Sequence, residues 1–192
     1  MTVRVMLVSP ATNAALREAR FDGDAPLDES GARRARAAAG ALPRADRLLS
    51  GPSARCRETA AELGLRAEPA EALGEWDLGR WRGRRLDEVS ASEPESVSAW
   101  LSDPSCAPHG GESLRSLCAR VGAWLESLPP DAGRVLAVVD PAVTRAAIVQ
   151  ALSLPPEAFW RLDVAPLTLT ELTGRGGRWN MKCGRPLGPE GG

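Results

Sequence analysis

Short β-branched or apolar runs alternate along this chain with Ala- and Arg-rich stretches of helical spacing. That alternation limits the fold more than any other feature, because strands separated by helices pair in parallel and need helices on their faces. Val3 to Val8 reads as a central strand that ends in Ser9-Pro10, and Arg47 to Leu49 and Arg134 to Val139 read as further strands. Ser30 to Leu42 is the first helix, with Asp28 as its N-cap. Ser50-Gly51-Pro52 opens a second helix through Leu63, with Pro52 suited to its first position. Leu73 to Arg85 is loop-like, and Asp22 to Asp28 is turn-rich. Pro94 to Leu101, Glu112 to Leu128, Ala142 to Leu152 and Pro155 to Trp160 are the remaining helices. In the longest of them Leu114, Leu117, Val121, Trp124 and Leu125 share one face. Leu167 to Leu172 and Arg178 to Lys182 alternate like closing strands. The class is α/β with a mainly parallel sheet, in which ligands bind outside the carboxyl ends of strands. Two such ends are Ser9-Pro10-Ala11-Thr12 and Asp140-Pro141-Ala142.

The length, 192 residues, suits one domain, read as 1–184 with a disordered tail over 185–192. Lys+Arg 24 against Asp+Glu 25 gives a formal net charge of -1, which excludes a broad footprint for nucleic acid or an anionic membrane. Lys182 is the only lysine; the other basic residues are arginine, a mark of base-composition bias. Cys56, Cys106, Cys118 and Cys183 form no C-x-x-C pair, and His109 is the single histidine, so neither a metal site nor a cofactor is expected. No apolar run is long enough for a membrane span, and the apolar start is too short for a signal peptide. A reducing cytoplasm with free thiols is the expected setting.

Several segments, in order, resemble the histidine phosphatase superfamily, the phosphoglycerate-mutase-like proteins. Arg20-Phe-Asp-Gly-Asp-Ala-Pro-Leu-Asp-Glu-Ser-Gly31 is similar to the family stretch ending in P-L-T-x-x-G. Ser50-Gly-Pro-Ser-Ala-Arg-Cys-Arg-Glu-Thr59 resembles S-x-x-x-x-R-A-x-x-T. Glu75-Trp-Asp-Leu-Gly-Arg-Trp-Arg-Gly83 resembles E-x-x-x-G-x-W-E-G, and Gly110-Gly-Glu-Ser-Leu114 matches G-G-E-S-L. Val135 to Arg145 falls where the family has V-x-V-V-S-H-G-G-V-x-R, and Phe159-Trp-Arg161 is a common continuation. The resemblance implies a three-layer sandwich, a mainly parallel central sheet flanked by helices.

It also implies a phosphatase or mutase whose first histidine attacks phosphorus, whose second histidine and two arginines hold the phosphoryl group, and whose Glu protonates the leaving oxygen. Against that pattern, Ser9-Pro10-Ala11 stands at R-H-G, and Asp140-Pro141-Ala142 stands at the second H-G-G. Pro10 has no nucleophilic atom. Ser9 replaces a bidentate cation, Asp140 replaces an imidazole with an anion, and Pro141 lacks a backbone N–H. Leu16 stands where an asparagine often contacts phosphate. Arg55 matches a phosphate-binding arginine, and Glu75 matches the proton donor. Arg82, with Arg80, Arg84 and Arg85, offers replacement positive charge or forms a solvated basic loop.

Two readings of function follow. In one the chain is a pseudo-phosphatase that binds a small molecule, an anionic one included, or a protein partner. Arg55, Ser9, Thr12, His109 and Arg82 are then its binding candidates. In the other it is an acid–base enzyme acting on an anionic metabolite, with Asp140 and Glu75 as a catalytic carboxylate pair and Arg55 orienting the substrate. Residual phosphatase or mutase activity ranks third. An open pocket with Asp140 and Glu75 about 5–9 Å apart suits acid–base work. A pocket filled by Trp76, Pro10 and Pro141 suits a binding protein. Each residue also has a plainer reading: Arg55 as an ion-pair strut, Trp76 and Trp81 as loop packing, His109 as a solvated loop residue, Cys56 as buried and inert, Arg145 as a helix-surface contact. Family members are often dimers, which makes a homodimer one expectation.

Overall fold

The computed structural model describes residues 2–21, 23–175 and 177–186. The chain runs β1 (Val3–Val8), α1 (Ala14–Arg17), α2 (Glu29–Ala38), β2 (Arg47–Ser50), α3 (Ala54–Glu62), β3 (Glu68–Pro69), α4 (Leu86–Ser92) and α5 (Pro94–Ser102). It continues with α6 (Leu114–Ser127), β4 (Arg134–Val138), α7 (Pro141–Ala151), β5 (Thr168–Arg175) and β6 (Arg178–Pro186). The six strands form one sheet in the order β3-β2-β4-β1-β5-β6. The first four in that order are parallel, and β5 and β6 add antiparallel at the β1 edge.

β1 is apolar on both faces because both are covered. Val3, Val5 and Leu7 join one core with Val135, Ala137 and the buried faces of α6 and α7. Met6 and Val8 join a second with Leu136, Val138 and the α2–α3 side residues Ala38, Cys56 and Ala60. These are the three layers of the sandwich. The face expected of α6 is buried at all five positions. Under it Trp76, Trp81, Trp100, Trp160, Phe21 and Phe159 pack with centroids 4.7–5.9 Å apart.

Helix starts are set by local side-chain bonds. The Asp28 carboxylate accepts from Gly31 N and starts α2 as expected. α3 begins at Ala54 rather than at Pro52, because the Ser53 hydroxyl accepts from Cys56 N and takes the N-cap. In the same way Ser113 caps α6 and leaves Glu112 outside the helix. Pro141 takes the first position of α7, where its missing N–H costs nothing. Pro156–Arg161 is a 3₁₀ turn rather than an α-helix, and α1 and α4 are short helices without a strong apolar period. β6 reaches Pro186; the rest of the expected tail, 187–192, lies outside the described residues.

Candidate functional site

Val8, Val138 and Ser50 stand abreast in the register of β1, β4 and β2. Three loops therefore leave the sheet at one level: 9–12, 139–140 and 51–53. The first is tied down on both sides. Ser9 N donates to Thr168 O at 3.0 Å, Leu167 N donates to Ser9 O at 3.2 Å, and Ala11 N donates to the Thr59 hydroxyl at 3.1 Å. The Ser9 hydroxyl turns toward β5: it donates to Ala165 O and accepts from Thr168 N at 3.0 Å. Ser9 and Pro10 are buried, and Thr12 is half-buried beneath α2.

Asp140 occupies the N-cap position of α7, yet its side chain caps nothing there. It points to the adjacent loop. Arg55 Nη2 donates to Oδ1 at 2.8 Å, and Ser53 Oγ donates to Oδ2 at 2.9 Å. The Cys56 thiol donates to Oδ2 at 3.3 Å. The Arg55 and Asp140 side chains are 7% and 2% exposed, so this ion pair is sealed from bulk water. Burial, with the Asp140 carboxylate beside it, pushes the Cys56 thiol well above its ordinary range. Cys56 is therefore a protonated donor and no nucleophile.

Beside this sealed cluster lies an open pocket of about 270 Å³, lined by Asp24, Pro52, Ser53, Gly74, Glu75, Trp76, Asp77 and Arg82. Of the two carboxylates proposed as a pair, only Glu75 is in the lining. Glu75 lines the pocket, while Asp140 lies behind Ser53 and Arg55 outside the lining. Pro10 and Pro141 are outside it as well. Arg82 is exposed and reaches it, whereas Ser9, Thr12 and His109 do not. Sequence reasoning missed Asp24, Ser53 and Asp77. For Ser53 a signal was available: a serine three residues before Cys56, in front of a helical stretch, is an N-cap pattern.

The far wall is fixed by backbone and by two charged clamps. Trp76 Nε1 donates to Glu112 O at 2.8 Å. Arg120 grips the Glu112 carboxylate at 2.9 and 2.7 Å and donates to Ala72 O and Gly74 O. Arg80 and Arg84 both bond Glu93, and Arg85 bonds Asp87. Of the four arginines in this stretch, only Arg82 brings charge to the pocket lining.

Gly79 and Gly111 let the 75–83 and 109–111 loops touch backbone to backbone. Gly79 has φ +47°, and a Cβ there would lie 2.2 Å from His109 O. A Cβ on Gly111 would lie 2.2 Å from Asp77 O. Gly79→Ala is expected to lose about 1–3 kcal/mol from backbone strain alone, with the clash added. A denaturant midpoint indistinguishable from wild type would refute this account of the wall.

His109 is 1% exposed and corrects the reading of a solvated loop residue. Its ring meets the edges of Trp76 and Trp81, and Nδ1 accepts from Gly111 N at 3.1 Å. Desolvation, against a smaller opposing pull from Asp77 and with help from Arg80, lowers its pKa below 6.5. A folded pKa below the unfolded value means that the unfolded chain binds the extra proton first. Stability is therefore expected to fall as pH drops below about 6.5 until the folded ring also protonates. Urea midpoints at stepped pH should show this slope flattened in His109→Gln; an equal slope in both proteins would exclude His109 as its source. Arg145 corrects another expectation: it is half-buried over the Phe159 ring at 5.6 Å.

Among the described residues no group of His, Cys, Asp and Glu could hold a metal ion, and no helix is long and apolar enough to cross a membrane. A family model for the histidine phosphatase superfamily (branch 1) matches residues 11–184, and the chain belongs to that superfamily. Among curated proteins it is 37% identical over 103 residues to glucosyl-3-phosphoglycerate phosphatase of Mycobacterium tuberculosis, covering 50% of this chain and 46% of that protein. It is 32% identical over 135 residues to phosphoserine phosphatase 1 of Hydrogenobacter thermophilus, covering 66% and 64%. An uncharacterised protein of Mycobacterium bovis matches at 32% over 127 residues, 62% of this chain and 35% of its own length. The chain thus spans less than half the length of the curated relatives it matches first. Among solved structures, mycobacterial glucosyl-3-phosphoglycerate phosphatase superposes with TM-score 0.82 at 26% identity, covering 98% of this chain and 100% of that one. Mycobacterial hydrolase 1 gives 0.81 at 28%, covering 95% and 98%.

Proposed function

We propose that this chain is a pseudo-phosphatase: a histidine-phosphatase-like protein that performs no phosphohistidine chemistry and uses its pocket to bind a small molecule or a protein partner. The observation that carries this reading is the Asp140 carboxylate held at 2.8 Å by Arg55 and at 2.9 Å by Ser53. The family places a phosphoryl group on that arginine; here the chain's own anion takes its place. Pro10 offers no nucleophilic atom at the end of β1, and the only imidazole, His109, is committed to packing on Trp76 and Trp81. Acid–base chemistry by Asp140 and Glu75 is the weaker reading, because a carboxylate bearing three donors and shut from the pocket has no substrate to reach. The free thiols of the described cysteines favour a reducing cytoplasm.

The test is hydrolysis of p-nitrophenyl phosphate and 3-phosphoglycerate by purified protein, with phosphohistidine labelling alongside. No turnover and no label are expected. Turnover that co-purifies with the protein and disappears in Arg55→Ala would sink the proposal.

A further inference from the structure

We infer that His109 is an acid-sensitive latch on the far wall of the pocket: a second proton on its ring releases residues 109–112 from the 75–83 loop and opens the cavity which that loop lines. A short seam of backbone bonds holds the wall, and the seam runs through this histidine. Arg80 N donates to His109 O at 3.0 Å, and Glu112 N donates to Asp77 O at 2.7 Å. Gly111 N donates to the ring itself, at Nδ1. The Arg80 guanidinium adds a bond to Pro108 O. On the loop side of the seam, Glu75, Trp76 and Asp77 line the pocket. The two loops have no room between them for even a Cβ at Gly79 or Gly111, so a displaced Gly111 must displace Asp77.

An acceptor at Nδ1 puts the proton of the neutral ring on Nε2. That nitrogen is buried and has no hydrogen-bond partner among the described residues. A proton added at Nδ1 sets two donors, the ring N–H and Gly111 N–H, against each other across 3.1 Å. The buried Nε2–H gains no acceptor in return, so the closed wall disfavours the imidazolium. The charges that act on the ring are Asp77, which favours the imidazolium, and Arg80, which opposes it. Behind them Glu93, between α4 and α5, bonds Arg80 and accepts from Trp81 Nε1, and Glu112 is held by Arg120. The Arg80 bond keeps the Glu93 carboxyl below its ordinary range, so that charge is fixed while the imidazole titrates. His109 is the only histidine, and imidazole is the side chain whose ordinary pKa lies between pH 5 and 8.

The experiment is amide hydrogen exchange on the full chain, read by NMR between about pH 7.5 and 5 with the intrinsic exchange rates divided out. The wall amides Gly79, Arg80, Gly111 and Glu112 are compared with amides of β1 and β4. Protection at the wall is expected to lie at least about tenfold below that of the strands, the mark of local rather than global opening. It is expected to fall by up to about tenfold per pH unit below pH ~6.5, until the ring in the closed wall also protonates. In His109→Asn the wall should lose this dependence, because Asn accepts from the N–H two residues on and does not titrate. The ring signals of the single histidine give a second measurement that needs no variant. They should titrate below about pH 6.5, together with shifts at Gly111 and Asp77. Wall protection that is constant with pH, or equally pH-dependent in His109→Asn, would overturn the latch. So would wall and strand amides of equal protection, or a ring that titrates with no shift at the wall. The latch does not depend on what the pocket holds, and its failure leaves the pseudo-phosphatase reading as it stands.

Discussion

Asp140→Ala is expected to cost about 3–5 kcal/mol of stability, the usual penalty for breaking a buried pair from one side. For a chain of this length that lowers the melting temperature by roughly 6–20 °C. The cause is local: the variant removes the acceptor for Arg55, Ser53 and Cys56 together, at a position 2% exposed. Arg55 loses the carboxylate bonded to its Nη2, at a site where both side chains are buried. Asp140→Asn should cost less, since its amide oxygen still accepts from Arg55 or Ser53. Combining Asp140→Leu with Arg55→Met removes both charges and should recover much of the loss, because well-packed apolar residues can replace a buried pair. Formate or phosphate should stabilise Asp140→Ala more than wild type, by refilling the vacated oxygen positions. A loss under about 1 kcal/mol in Asp140→Ala, the size seen for exposed pairs, would mean that Arg55 is hydrated and the cluster is open.

Why Asp140 went one way and Glu75 the other was not legible in the sequence. The runs of β1, β2 and β4 and the buried face of α6 follow from period and composition and fell where expected, whereas the two-residue β3 and the short α1 and α4 carry no such period. Thr59 and Gly79 could be matched to a pattern, but their work could not be seen: a hydroxyl that pins Ala11 N, and a backbone contact with His109 O. A carboxylate at a strand end reads identically whether it faces a ligand or an internal arginine. The difference lies in the Ser53 and Cys56 hydrogen bonds, which require the loops of β2 and β4 to be placed side by side. His109 was misread for a similar reason. A histidine before two glycines looks like an exposed turn, and only the closing of the 75–83 loop over it buries the ring among tryptophans. Asp24 gave no signal at all, since its reach to Ala54 N depends on the fold bringing residues 30 apart together.

Replacing Pro10 and Asp140 together with histidine is expected to produce a labelled phosphohistidine where the wild-type chain gives none. Hydrolysis of an activated aryl phosphate should become detectable, because removing the Asp140 carboxylate also breaks the Ser53 and Arg55 bonds that seal this cluster from the neighbouring pocket. The geometry favours it: Val8 pairs with Val138, and Val139 N donates to Val8 O at 3.0 Å, so residues 10 and 140 follow directly from adjacent strand ends. Removing Asp140 takes away the carboxylate 2.8 Å from Arg55 Nη2, and Glu75, the family-pattern proton donor, lines the neighbouring pocket. Ser9 is best left alone, although the family carries arginine there. Its hydroxyl and backbone bond Ala165, Leu167 and Thr168, and an arginine would have to break that seam between β1 and β5. Without that second arginine, and with Pro141 lacking an N–H, the activity should stay well below that of an intact enzyme. Adding Asp24→Asn should raise it further by relieving the carboxylate at the amino end of α3. A folded double variant that takes up no label, yet binds phosphate in a titration, would show that the ends of β1 and β4 no longer converge on one phosphorus atom.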